Sequence, residues 1–135
     1  MSGLVVKYEE ALIGWRSRKQ SLLALSSTEA EFSALSEVCK EMEFYKCLVQ
    51  EVNGECCLPI TVWDDNQPCM KLAETGQFKS RTKHLDIRFK NVCQSVQTGL
   101  VKLKYCPSQE NLADGFTKPL GFQLHWEFCN GLYLV

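Results

Sequence analysis

The sequence predicts an α/β fold, a mixed sheet flanked by helices. Short β-rich runs alternate with segments whose apolar residues recur every three or four positions. The helical segments are long enough to cross over between strands, and no repeat or linker divides the chain. With 135 residues, one core is feasible, since a chain of this size buries roughly two-thirds of its unfolded surface.

The elements follow in order. Gly3-Leu-Val-Val-Lys-Tyr and Ala11-Leu-Ile-Gly-Trp-Arg read as two strands around the polar turn Glu9-Glu10. A helix starts near Ser26, because Ser26/Glu29 and Thr28/Glu31 both have capping-box spacing. Its expected apolar stripe is Leu35, Val38, Met42, Tyr45, Val49 and Val52, and Asn53-Gly54 ends it. Pro59-Ile-Thr-Val-Trp-Asp-Asp reads as a strand, after which Pro68 suits the first turn of a helix through Ala73. From Thr82, the spacing of Leu85, Phe89, Val92 and Val96 predicts another helix, closed by Thr98-Gly99. Leu100-Val-Lys-Leu-Lys-Tyr-Cys alternates as a strand with Lys102 and Lys104 on one face, and Pro107-Ser108 opens a last helix holding Leu112, Ala113, Asp114 and Phe116.

Composition narrows the class. A hydrophobic fraction of 45% and a charged fraction of 23% fit a globular protein. No apolar run reaches the roughly 18 residues of a membrane span, and no signal-like segment opens the chain; an intracellular location, cytoplasmic or nuclear, is the expectation. Eight cysteines contain no Cys-x-x-Cys pair and His84 and His125 stand apart, so reduced, mostly buried thiols are expected rather than zinc ligands. The net charge of −1 conceals local clusters. Residues 79–90 hold Lys79, Arg81, Lys83, Arg88 and Lys90 against Asp86 alone, and Arg16, Arg18 and Lys19 form a second group. Both could face phosphate or simply be solvated.

Several acids are candidates for chemistry. Glu31 continues the apolar stripe through Leu35 and Val38, so it points inward, whereas Glu29 aligns with Ser33 and Ser36 on a polar face. Asp64 and Asp65 stand at a strand end, where ligand sites collect in open α/β sheets. Alternation puts them on opposite sides, and capping of the next helix is an equally open role. Asp114 falls in the first turns of a helix, which the helix dipole alone would explain.

The wording around these acids is more specific. Trp15-Arg-Ser-Arg-Lys-Gln, Ala24-Leu-Ser-Ser-Thr-Glu-Ala-Glu-Phe, Asp65-Asn66-Gln67, Ser80-Arg-Thr-Lys-His-Leu-Asp-Ile-Arg and Asn111-Leu-Ala-Asp-Gly-Phe-Thr-Lys-Pro-Leu occur in that order. Together they resemble the ribonuclease H region of copia-type retrotransposon Pol polyproteins, over residues 2–120. Residues 1–120 then correspond to a ribonuclease H-like domain truncated at its N-terminus, and 121–135 to the polyprotein's C-terminal tail.

The resemblance implies a ribonuclease H-like fold: a five-stranded mixed sheet flanked by helices, with carboxylates holding two divalent metals. Glu31, Asp65 and Asp114 match the motif positions of metal-binding, catalytic acids. Magnesium, or manganese in its place, is the implied cofactor. The implied partners are an RNA/DNA hybrid or other double-stranded nucleic acid and the reverse transcriptase part of the same polyprotein, in the cytoplasm, including transposon particles, or in the nucleus. Arg16, Arg18, Lys19, Lys79, Arg81, Lys83, His84 and Arg88 are the implied nucleic-acid contacts.

The family's first aspartate lies on an acid-rich strand preceding Ser2-Gly3, in the middle of the sheet between the hairpin and the Asp65 strand. These 135 residues do not contain that strand. The expectation is therefore a fragment that is inactive alone, with a non-catalytic nucleic-acid or protein-binding module as the alternative.

Overall fold

The computed structural model describes residues 1–20, 26–77 and 83–133, with the backbone alone at residue 84. It is a mixed α/β structure folded as two compact units, Met1–Leu23 with Pro107–Val135, and Ala24–Cys106. The described strands form two separate two-stranded sheets.

In the first unit, β1 (Ser2–Tyr8) and β2 (Ala11–Arg18) pair antiparallel as the expected hairpin, with Gly3 opposite Ser17 and a register irregularity between Val6 and Lys7. Glu9 closes the turn with a positive φ of 53°. The helix expected from Pro107 is reduced to a 3-10 turn, Leu112–Phe116. Asn111 caps it, its side chain accepting from Ala113 N at 3.1 Å, while Pro107 and Ser108 carbonyls close ordinary turns before it. Helix α4 (Phe122–Gly131) follows, a segment in which no element was expected. Phe128 of α4 packs edge-on against Phe116 at 5.0 Å.

The second unit begins with α1 (Ser27–Asn53). Of the two possible caps the structure uses Ser26, whose side chain accepts from Glu29 N at 3.2 Å. Gly54, with φ of 73°, supplies the left-handed C-cap. The buried face consists of Phe32, Leu35, Ser36, Cys39, Met42 and Val49. The expected stripe thus holds at Leu35, Met42 and Val49 and fails at Val52, which is 75% exposed; the helix has run past the elements that cover it.

Strand β3 (Ile60–Asp64) leads into α2 (Gln67–Thr75), and α3 (Lys83–Gln97) into β4 (Val101–Tyr105). The two strands pair in parallel, Ile60 opposite Val101 and Asp64 opposite Tyr105. The helix start expected at Thr82 lies outside the described residues. Phe89 of α3 meets Phe32 of α1 edge-on at 5.2 Å, and Leu85, Val92, Val62, Val101 and Leu103 complete this core.

The eight cysteines are free thiols. Only Cys39, Cys69, Cys93 and Cys106 are buried, fewer than expected: Cys47 and Cys56 are exposed, and Cys57 and Cys129 intermediate. Cys47 lies on the outer side of α1, and Cys56 in the loop after it, where there is no core to enter.

Candidate functional site

In the second unit, Glu31 sits half-buried in the second turn of α1, one residue before the fully buried Phe32. Alternation along β3 turns Ile60, Val62 and Asp64 to the core side and Thr61 and Trp63 to solvent. Asp64 is half-buried, and its Oδ1 accepts from Asn66 N at 3.0 Å. Burial pushes its carboxyl above the ordinary carboxylate range; the hydrogen bond from Asn66 opposes this, and the adjacent Asp65 charge adds to it.

Asn66, rather than either aspartate, caps α2: its Oδ1 accepts from Cys69 N at 2.9 Å. The open choice between ligand and cap at Asp64 and Asp65 is thereby narrowed, because the cap position is already filled. The buried Cys69 thiol, in the first turn of α2, is pushed up to about 12, first by desolvation and then by the negative charges of Asp64 and Glu31. The charges of Asp64 and Glu31 thus both disfavour the thiolate of Cys69. Asp65 follows directly, half-buried, between the strand and the cap.

Asp64 is a strand-end candidate in the sequence that the resemblance does not match to a ligand position, and Cys69 is expected there only as a buried thiol. Asp64 carried a readable signal, since it shares the i, i+2 face of Val62. Cys69 carried none, because a single cysteine in a helix is an ordinary core residue.

In the first unit, Asp114 lies in the 3-10 turn, its Oδ2 3.3 Å from Lys118 Nζ. Its carbonyl accepts from Thr117 N at 3.0 Å and Thr117 Oγ1 at 2.9 Å. Gly3 fixes the turn against β1, since a Cβ there would run into the Ala113 carbonyl oxygen. Opposite Gly3, Ser17 Oγ donates to the Phe116 carbonyl at 2.7 Å.

Among the expected nucleic-acid contacts, Arg16 and Arg18 share one face of β2 by alternation, Arg18 and Lys19 being exposed and Arg16 half-buried. On α3, helical spacing groups the exposed Lys83 with Ile87 and Lys90 and turns the half-buried Arg88 elsewhere. Lys79 and Arg81, and the His84 side chain, lie outside the described residues.

Comparison with known proteins finds relatives by sequence. The chain is 33% identical over 117 residues to the retrovirus-related Pol polyprotein from transposon TNT 1-94 of Nicotiana tabacum, an alignment covering 87% of this chain and 9% of that polyprotein. Its homologues are retrotransposon Pol polyproteins. Another, from transposon RE1 of Arabidopsis thaliana, is 31% identical over 119 residues, 88% of this chain and 8% of the relative. The Ty1-DR1 Gag-Pol polyprotein of Saccharomyces cerevisiae is 29% identical over 109 residues, 81% of this chain and 6% of the relative. The chain thus corresponds to under a tenth of each of these Pol polyproteins. No family model matches it, and no solved structure matches it significantly. No described helix is long and apolar enough to cross a membrane.

Proposed function

We propose that the chain is a ribonuclease H segment of a retrotransposon Pol polyprotein. In this reading Glu31, Asp65 and Asp114 are oxygen ligands for two magnesium ions, and the substrate is the RNA strand of an RNA/DNA hybrid. What supports the reading is the ordered likeness of the motifs around Glu31, Asp65 and Asp114, together with 33% identity to a retrotransposon Pol polyprotein.

Among the described residues no three His, Cys, Asp or Glu side chains converge as a metal site, so the reading needs a further segment to draw the acids together. The carboxylates offer only oxygen, which would suit magnesium or manganese. When bound, such ions activate water and stabilise the leaving oxygen during in-line phosphodiester cleavage. The chain's own residues hold the site and the substrate: clustered acids repel until cations neutralise them, and Arg16, Arg18, Lys19, Lys83 and Arg88, with Lys79, Arg81 and His84, draw in the phosphate backbone by a salt-sensitive attraction.

No Asp-x-Asp motif occurs in these 135 residues, so the reading assigns the remaining carboxylate to a segment outside them. Each described strand has only one neighbour, which leaves edges for a further strand.

Cleavage of a labelled hybrid, with magnesium and with manganese, tests the reading. The 135-residue chain alone should show no turnover above background. The same chain preceded by the corresponding upstream segment of the TNT 1-94 polyprotein should cleave, and lose cleavage in Glu31→Gln, Asp65→Asn and Asp114→Asn while tolerating Glu29→Gln and Asp64→Asn. A stable extended chain that binds hybrid without cleaving it would sink the nuclease reading in favour of a non-catalytic binding module.

A further inference from the structure

The second unit carries an exposed surface that the proposed metal site does not use. Along β3 and β4, alternation sends Val62, Val101 and Leu103 into the core and leaves Thr61, Trp63, Lys102 and Lys104 on the opposite face. The register sets Thr61 opposite Lys102 and Trp63 opposite Lys104. Every charge that the strands place on this face is positive.

Trp63 is 57% exposed. An indole so placed keeps a large flat apolar surface in water, at a cost that a stacked partner would remove. Lys104 Nζ stands 5.4 Å from its ring centroid, a cation held beside an aromatic face. Lys102 lies two residues along the same strand, so the lysine Cα atoms are roughly 6.6 Å apart. Neighbouring phosphates of an extended nucleic-acid strand have a similar spacing.

We infer that this sheet face is a stacking platform for single-stranded nucleic acid, with Trp63 against a base and Lys102 and Lys104 on successive phosphates. A flat ring flanked by cations suits a chain of bases joined by anions, and stacking is sequence-tolerant because every base has a π-face. A duplex keeps its base faces stacked inside and offers the indole none, so the platform selects unpaired strand. It involves none of Glu31, Asp65 and Asp114, and stands or falls separately from the nuclease reading.

Anisotropy of a labelled oligothymidylate titrated with the full chain, beside an abasic strand of equal length, tests the inference. Trp63→Leu should weaken oligothymidylate binding by about tenfold, the scale of one lost base–aromatic stack, while Trp63→Phe keeps most of it. Binding of the abasic strand should not change in Trp63→Leu. Lys102→Ala with Lys104→Ala should lower the slope of log affinity against log salt by about 1.4, the share of two phosphate contacts on a single strand. Failure of the chain to bind oligothymidylate, an equal loss on the abasic strand, parental binding by Trp63→Leu, or an unchanged salt slope would each overturn the inference. Far-UV circular dichroism of each variant separates these results from misfolding, and the Phe and Leu variants, both apolar, are compared directly.

Discussion

Gly3 offers a way to move the Asp114 turn without touching Asp114. A Cβ at this position would collide with the carbonyl oxygen of Ala113 and crowd Thr117 Cγ2. The first is backbone and cannot swing aside, so Gly3→Ala must lift the 3-10 turn off β1 or bend the strand. Overpacking of this kind costs about 1–3 kcal/mol. Ser17, the register partner of Gly3, holds the same turn through its 2.7 Å hydrogen bond to Phe116 O; because Ser17 is exposed, Ser17→Ala should cost only about 0.5–1 kcal/mol. If both act on one contact, the double variant costs less than the sum, because a turn already lifted has lost the serine bond. Urea unfolding gives the totals, and hydrogen exchange read by mass spectrometry localises them. Gly3→Ala should accelerate exchange in residues 112–117 and 2–8 and leave the α3 and β4 amides unchanged. Unaltered exchange at 112–117 would refute the docking of the turn on β1.

Other consequences can be checked directly. Asn66→Ala removes the α2 cap on Cys69 N and should cost about 1 kcal/mol, with Asn66→Ser restoring most of it; a neutral Asn66→Ala in urea unfolding would show the cap to be idle. Cys39 is buried against α3, and desolvation raises its thiol from 9.0 to about 11 against the opposing hydrogen bond from Ser95. The folded state therefore holds a proton that the unfolded state releases first: the stabilisation is complete below pH 9 and is lost as pH rises toward 11. Between pH 9 and 10 the parent should lose up to about 1.4 kcal/mol more than Cys39→Ala, and equal losses in parent and variant would contradict it.

Local signals carried most of the fold. Positive-φ glycines at Gly54 and Gly99, the Ser26 cap and the hairpin turn all depend on a few neighbouring residues, and such features are readable in isolation. Features that depend on distant packing were less legible. The helix expected from Pro107 shrank to a 3-10 turn because Gly115 packs against the ring of Phe128 and Gly3 admits the Ala113 carbonyl, contacts between segments far apart in sequence. Helix α4 was missed because Phe122, Leu124 and Trp126, at alternate positions and all exposed, do not trace a helical stripe. The resemblance implied one mixed sheet, where the described strands form two pairs; pairing between non-consecutive strands leaves no local trace. The stripe did not separate the two glutamates: Glu29 is half-buried like Glu31, and Ser36, expected on the polar face with Glu29, is buried.

The adjacent aspartates of β3 show where periodicity stops being sufficient. Alternation separates Asp64 from Asp65 but does not say which side holds the chemistry. The structure adds that Asp64 lies on the core side of β3 and accepts from Asn66 N. An acid spending one oxygen on a backbone amide has its orientation set by the turn, which suits a residue that positions its neighbour. Asp65, matched by motif to the ligand position, comes after the strand, where the chain turns into α2 and its direction is set by that turn. Burial already disfavours the ionised form of Asp64, and each further charge nearby raises the cost. A divalent cation beside Glu31 would reverse that balance, lowering carboxylate pKa values and tightening the strand end. With Glu31 and Asp65 as the acids matched to the ligand positions, magnesium should raise the unfolding midpoint of the extended chain, and Asp65→Asn should remove that rise while Asp64→Asn, which removes no ligand, keeps it.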